Sequence, residues 1–196
     1  MNSNLQPCSY STSARCLARI VRTGFATTAT IGLYQIHGIL DFPVIAALGT
    51  ITIEQSGQLI VGDFSATEHE VNLALDGLTP VIELDGRHYT FDTGADATLL
   101  YPAYFAAHEC DVRKHYTPVE INVGGAGGSK KINGYRINFT VDIADQRQLR
   151  LDSVELITDY VNTKSQHYYD NIGNDVIGKF TSYQLDFTTM KVGFNK

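Results

Sequence analysis

The apolar positions of the chain change period along its length. Leu17, Ile20 and Val21 recur at helical spacing, with Arg15, Arg19 and Arg22 on another face, which predicts one short amphipathic helix from Ala14 after a polar terminus. Beyond Gly49 the period becomes two. Ile51 and Ile53 alternate with Thr50, Thr52 and Glu54, and Gln55-Ser56-Gly57 precedes Leu59-Ile60-Val61, the pattern of a hairpin. From there to the end, the turn pairs Asp76-Gly77, Thr79-Pro80, Asp85-Gly86, Asn133-Gly134 and Gly173-Asn174 separate short runs rich in β-branched and aromatic residues. The C-terminal two thirds therefore reads as mainly β. A strand pair, Val81 to Leu84 and Arg87 to Phe91, is joined by Asp85-Gly86 and delivers the chain into Asp92.

The stretch from Thr23 to Leu40 holds no Asp, Glu, Lys or Arg over 18 positions, but six Thr, Gln and His residues dilute its apolar character. Two readings stay open for it: an export signal or membrane anchor, and a helical extension packed on the main domain. Extended runs become continuous near residue 70. The expected organisation is an N-terminal extension over 1–70, with loose terminus, helical segment and hairpin, followed by a main domain over 71–196.

Composition narrows the function classes. A chain of 196 residues, 43% hydrophobic and 18% charged, can build a sizeable core without a metal or disulfide to hold it. Fifteen basic against 21 acidic residues give a net charge of −6, which argues against nucleic acid as a partner. Three cysteines without a C-x-x-C and six histidines without H-E-x-x-H indicate no zinc site. Compartment is left open between cytoplasmic, periplasmic and membrane-associated.

The candidate chemistry lies in Asp92-Thr93-Gly94-Ala95-Asp96-Ala97-Thr98. Taken alone, Asp-Thr-Gly is equally a turn in which an aspartate bonds its own backbone. Its surroundings add to it: an apolar strand ending in Phe91 before, Thr98-Leu99-Leu100 after, a glycine-rich run Val123-Gly124-Gly125-Ala126-Gly127-Gly128, and a late Val176-Ile177-Gly178. The glycine run fails as a phosphate cradle, because Ser129 and Lys130 stand where the two phosphate-loop patterns need glycine.

In that order, over about residues 78–196, the sequence resembles the retropepsin-like aspartic proteases, the single-lobed relatives of pepsin, with a leaning to bacterial members. The resemblance implies a closed β-barrel with a short C-terminal helix after Gly178, in Lys179 to Gln184. It implies Asp92 as the catalytic carboxylate and Thr93, Gly94 and Ala95 as the active-site loop. Gly94, Asp96 and the flap residues Gly124, Gly125, Ala126, Gly127 and Gly128 would touch an extended polypeptide substrate, with no metal or cofactor involved. For Asp96 a solvated turn role stands level with that contact, and Asp175 is expected to bond backbone.

The chain has one Asp-Thr-Gly and no Asp-Ser-Gly, so a dyad of the pepsin kind has to come from Asp92 of two copies across a two-fold axis. An aspartic endopeptidase active as a homodimer is the leading expectation. The competing one is a peptide-binding or dimerisation module of the same fold that has lost turnover.

Overall fold

The computed structural model describes residues 29–31, 34–36, 42–62, 69–125, 128–143, 147–160 and 168–195. The polar terminus and the helix expected from Ala14 lie outside them, as does much of Thr23 to Leu40. Within that stretch, strand β1 (Ala29–Ile31) pairs antiparallel with β2 (Tyr34–Ile36), so the helical extension expected there is corrected to a short hairpin over these residues. The β-branched Thr30, Ile31 and Ile36 favour that extended backbone. Among the described residues no helix is long and apolar enough to cross a membrane.

Helix α1 (Phe42–Ala47) leads into β3 (Thr50–Glu54) and β4 (Leu59–Val61), the hairpin the alternation predicts, in register Ile51 to Val61. A meander follows: β5 (His69–Asp76), β6 (Thr79–Leu84) and β7 (Arg87–Phe91). The β6–β7 turn is Asp85-Gly86, both at positive φ (50° and 69°), as a two-residue hairpin loop requires. Then come β8 (Leu99–Leu100), α2 (Pro102–His115), β9 (Val119–Gly125), β10 (Gly128–Ile143), β11 (Arg147–Ile157), β12 (Asp170–Ile172), α3 (Asn174–Ile177), β13 (Ser182–Asp186) and β14 (Lys191–Asn195).

Helix α2 is absent from the sequence reading. Its signals are local, Pro102 at the first turn and Arg113, Lys114 and His115 in the last. Only Pro102 and Val112 are buried, so no apolar stripe announces it, and the helix is kinked at His108, whose Nε2 meets the Tyr169 hydroxyl at 2.7 Å.

The protein is mainly β, as expected, but its barrel is corrected to an open sheet. Among the described residues twelve strands form one sheet in the order β4-β3-β13-β14-β5-β6-β7-β12-β8-β11-β10-β9. The C-terminal hairpin β13–β14 sits between β3 and β5, which pushes β4 to one edge while β9 forms the other. Closure would need those two edges to pair, and among the described residues each pairs only inward. The hairpin Thr50–Val61 is thus continuous in hydrogen bonding with residues 182–195.

The main core includes Phe91, Phe180 and Phe194, with Phe91 edge-on to Phe194 at 6.3 Å between ring centroids. A second cluster, Ile121, Ile132 and Ile157, packs with Leu99, Tyr101, Val119 and Val123, and so joins the base of the β9–β10 hairpin to β8. Gly134 lies in this seam, opposite both Val119 and Ile157. A Cβ there would stand 2.2 Å from the Leu156 carbonyl oxygen and 2.4 Å from Ile121 Cδ1. Gly134→Ala should therefore destabilise the fold by roughly 1–3 kcal/mol, the ordinary range for overpacking, read as a lower denaturant midpoint; an unchanged midpoint would contradict the close approach.

Candidate active site

Strand β12 is inserted between β7 and β8, which are neighbours in sequence, running parallel to β7 and antiparallel to β8. The chain leaving β7 at Phe91 must therefore cross one strand, about 10 Å at ordinary strand spacing, to enter β8 at Leu99. Residues 92–98 make that crossing, and they pass over the end of β12. The Asp92 N–H donates to the Ile172 carbonyl at 3.0 Å, and the Asn174 N–H donates to the Ala95 carbonyl at 2.9 Å. The Asn174 side-chain amide adds a bond to the Thr93 carbonyl at 2.9 Å.

The approach is close enough to select its glycine. A Cβ on Gly173 would lie 2.5 Å from the Ala97 carbonyl carbon and 2.9 Å from the Thr98 nitrogen. The apolar-glycine turn that leads into a helix is thus Ile172-Gly173, followed by α3. This corrects the expectation of Val176-Ile177-Gly178: Val176 and Ile177 are themselves in the helix, and Gly178 is its C-cap. The helix expected in Lys179 to Gln184 is corrected with it, since β13 begins at Ser182.

Thr98 closes the crossing. Its N–H and its hydroxyl both donate to Asp175 Oδ1, at 2.9 and 2.6 Å, while its oxygen accepts the Gly173 N–H at 3.2 Å. Asp175 bonds backbone, as expected of it, and it bonds the Thr98 side chain as well. Thr98 is buried, so the hydroxyl and the carboxylate lock α3 to the loop in a partly dry setting.

On this frame the Asp92 carboxylate is exposed. Its Oδ1 accepts the Gly94 N–H at 2.9 Å and its Oδ2 accepts the Asn171 side-chain amide at 3.2 Å. Thr93, Gly94 and Asp96 are exposed beside it, and Ala95 is half-buried. A cavity of about 230 Å³ opens next to Thr93, between α3 and the β3–β4 hairpin, with Ile53, Ile177, Phe180 and Tyr183 in its wall. The crossing thus brings Asp92, Thr93, Gly94 and Ala95 together with Asn171, Gly173, Asn174 and Asp175. Gly124, Gly125 and Gly128 belong to a different element, the β9–β10 hairpin, where Gly125 pairs with Gly128; Ala126 and Gly127 lie outside the described residues.

Asn171 is the contact that sequence reasoning missed. A polar residue between a buried Asp and a buried Ile in a three-residue strand is its only sequence signal. Its neighbour Asp170 is fully buried, and neither of its carboxyl oxygens has a hydrogen-bond partner among the described residues. Burial, and then the charge of Asp175, push its pKa well above the ordinary carboxylate range. Among the described residues no cluster of three or more His, Cys, Asp or Glu forms a metal site.

Comparison with protein-family models and with curated proteins finds no match to the chain.

Asp170 sets a pH dependence of stability. Below the unfolded carboxyl pKa both states are protonated and nothing is lost. Above it, the unfolded chain releases a proton that the buried carboxyl retains, so stability falls with rising pH until Asp170 ionises, by at most about 1.4 kcal/mol per unit. Chemical denaturation from pH 4 to 8 should show Asp170→Asn flattening that fall; parallel curves for the two proteins would refute the assignment.

Proposed function

We propose that the protein is an aspartic endopeptidase of retropepsin type, active as a homodimer in which Asp92 of two copies forms the dyad. The observation that carries this reading is the Asp92 carboxylate itself: surface-exposed on a tight crossing loop, with both oxygens already oriented by separate donors. A turn aspartate that served only its own loop would need one of those bonds.

The chemistry follows from pairing. Two carboxylates about 3 Å apart cannot both ionise cheaply, so they hold one proton between them. The ionised member removes a proton from water as it attacks the peptide carbonyl. The protonated member hydrogen-bonds the oxyanion that develops and protonates it; as the resulting diol collapses the C–N bond breaks, and the carboxyl that took the water's proton passes it to the leaving amine. One copy holds one carboxylate, so the monomer has half of this machinery.

Substrate in this reading is an extended polypeptide bonded through its main chain. The β9–β10 hairpin, with Gly124, Gly125 and Gly128 near its turn, is the flap, because positions without side chains let a hairpin lie close over a peptide and exclude water. Packing of Val119, Ile121 and Val123 against Leu99 and Tyr101 ties that hairpin to the strand that follows the Asp92 loop.

Asp92→Asn should keep the fold and dimer but lower hydrolysis of an unstructured protein at pH 4–6 by about 10³-fold or more, the order seen when a catalytic side chain is removed. Undiminished turnover in that variant ends the protease reading. Specific activity of the native protein should also fall on dilution, as dimers dissociate into half-sites; activity strictly proportional to protein concentration down to monomer would exclude a shared dyad.

A further inference from the structure

Asn171 sits in the middle of β12, opposite Thr90 on β7 and Leu99 on β8. Alternation along the strand buries Asp170 and Ile172 and leaves Asn171 half-buried, turned towards the Asp92 loop. Its Oδ1 accepts the Thr90 hydroxyl hydrogen, and its Nδ2 donates to Asp92 Oδ2. The assignment of the two amide atoms is chemical: an ionised carboxylate only accepts, so the nitrogen must face it.

Thr90 is itself buried, and its hydroxyl has two acceptors in reach, Asn171 Oδ1 and, at 3.3 Å, the Asp170 carbonyl oxygen. A hydroxyl has one hydrogen. Thr90 gives that hydrogen to Asn171 Oδ1, the nearer of the two acceptors. The links Thr90 to Asn171 and Asn171 to Asp92 then donate in one direction, and the first bond polarises the second.

We propose that Asn171 is the positioning residue of the Asp92 carboxylate, fixed in turn by Thr90. The role rests on the reading of Asp92 as catalytic. The Gly94 N–H holds one oxygen and the Asn171 amide the other, so the carboxylate plane is set before a second copy or a substrate arrives. Bond formation at the carbonyl needs the attacking water within a narrow range of position, and errors near 1 Å cost about 10²-fold.

The test combines kinetics with a readout that needs no hydrolysis. Asn171→Leu, similar in size and without a donor, should lower kcat about 10–100-fold with KM within about two-fold. Thr90→Val should lower kcat less, and should add nothing in the Asn171→Leu background. Asn171→Asp restores a donor only when the new carboxyl is protonated, so its activity should be displaced to lower pH. An unchanged kcat in Asn171→Leu, or a rise in KM alone, overturns the proposal while leaving the protease reading intact. If the native protein hydrolyses nothing, the protease reading fails by itself. The contact is then judged by the Asn171 side-chain amide resonances, which should shift in Asp92→Ala; resonances that do not move overturn it.

Discussion

The arrangement of the site depends on one topological constraint, the insertion of β12 between β7 and β8. Two strands consecutive in sequence are kept a full strand apart, so the segment joining them has to cross the end of the strand between. That crossing holds the Asp-Thr-Gly sequence at the surface and against β12 at the same time. The requirements on neighbouring residues follow: glycine at 173 where the chains meet, side chains at 174 and 175 that bond the crossing backbone and one at 171 that bonds the Asp92 carboxylate, and a buried threonine at 98 to close it.

The polar groups divide by face of β12. On the side of the Asp92 loop, Asn171 is bonded at both ends of its amide. On the core side, Asp170 has no partner among the described residues and is kept neutral by burial. A carboxyl in such a place lowers stability at neutral pH, where its ionised form would be favoured in the unfolded chain. Two adjacent residues on one short strand thus carry opposite solutions to the same problem, a polar side chain removed from bulk water.

The hairpin that bears the glycine run reaches the site by packing. Ile121, Ile132 and Ile157 form a small apolar cluster with Leu99 and with Tyr101, the residue that precedes α2. Leu99 is also paired with Asn171 on β12, so the apolar seam under the hairpin adjoins the strand that holds the Asp92 carboxylate. A change in that seam reaches both.

Much of this was legible in the sequence because it is written in local codes. The two-residue period around Ile51, the positive-φ pair Asp85-Gly86 and the glycines of the β9–β10 turn each specify their own geometry within a few residues. Asp92 at a strand end is legible for the same reason. Helix α2 escaped because only two of its residues are buried, leaving no periodic stripe to read. The open sheet, the crossing of β12, the need for glycine at 173 in place of 178 as the turn into the helix, and the contact of Asn171 with Asp92 were decided by tertiary structure alone. Each joins residues some 75 to 130 positions apart, as Thr98 to Gly173 and Thr52 to Gln184. Such pairings depend on which strand edges meet in space, and no short-range pattern of apolar and polar positions encodes that choice.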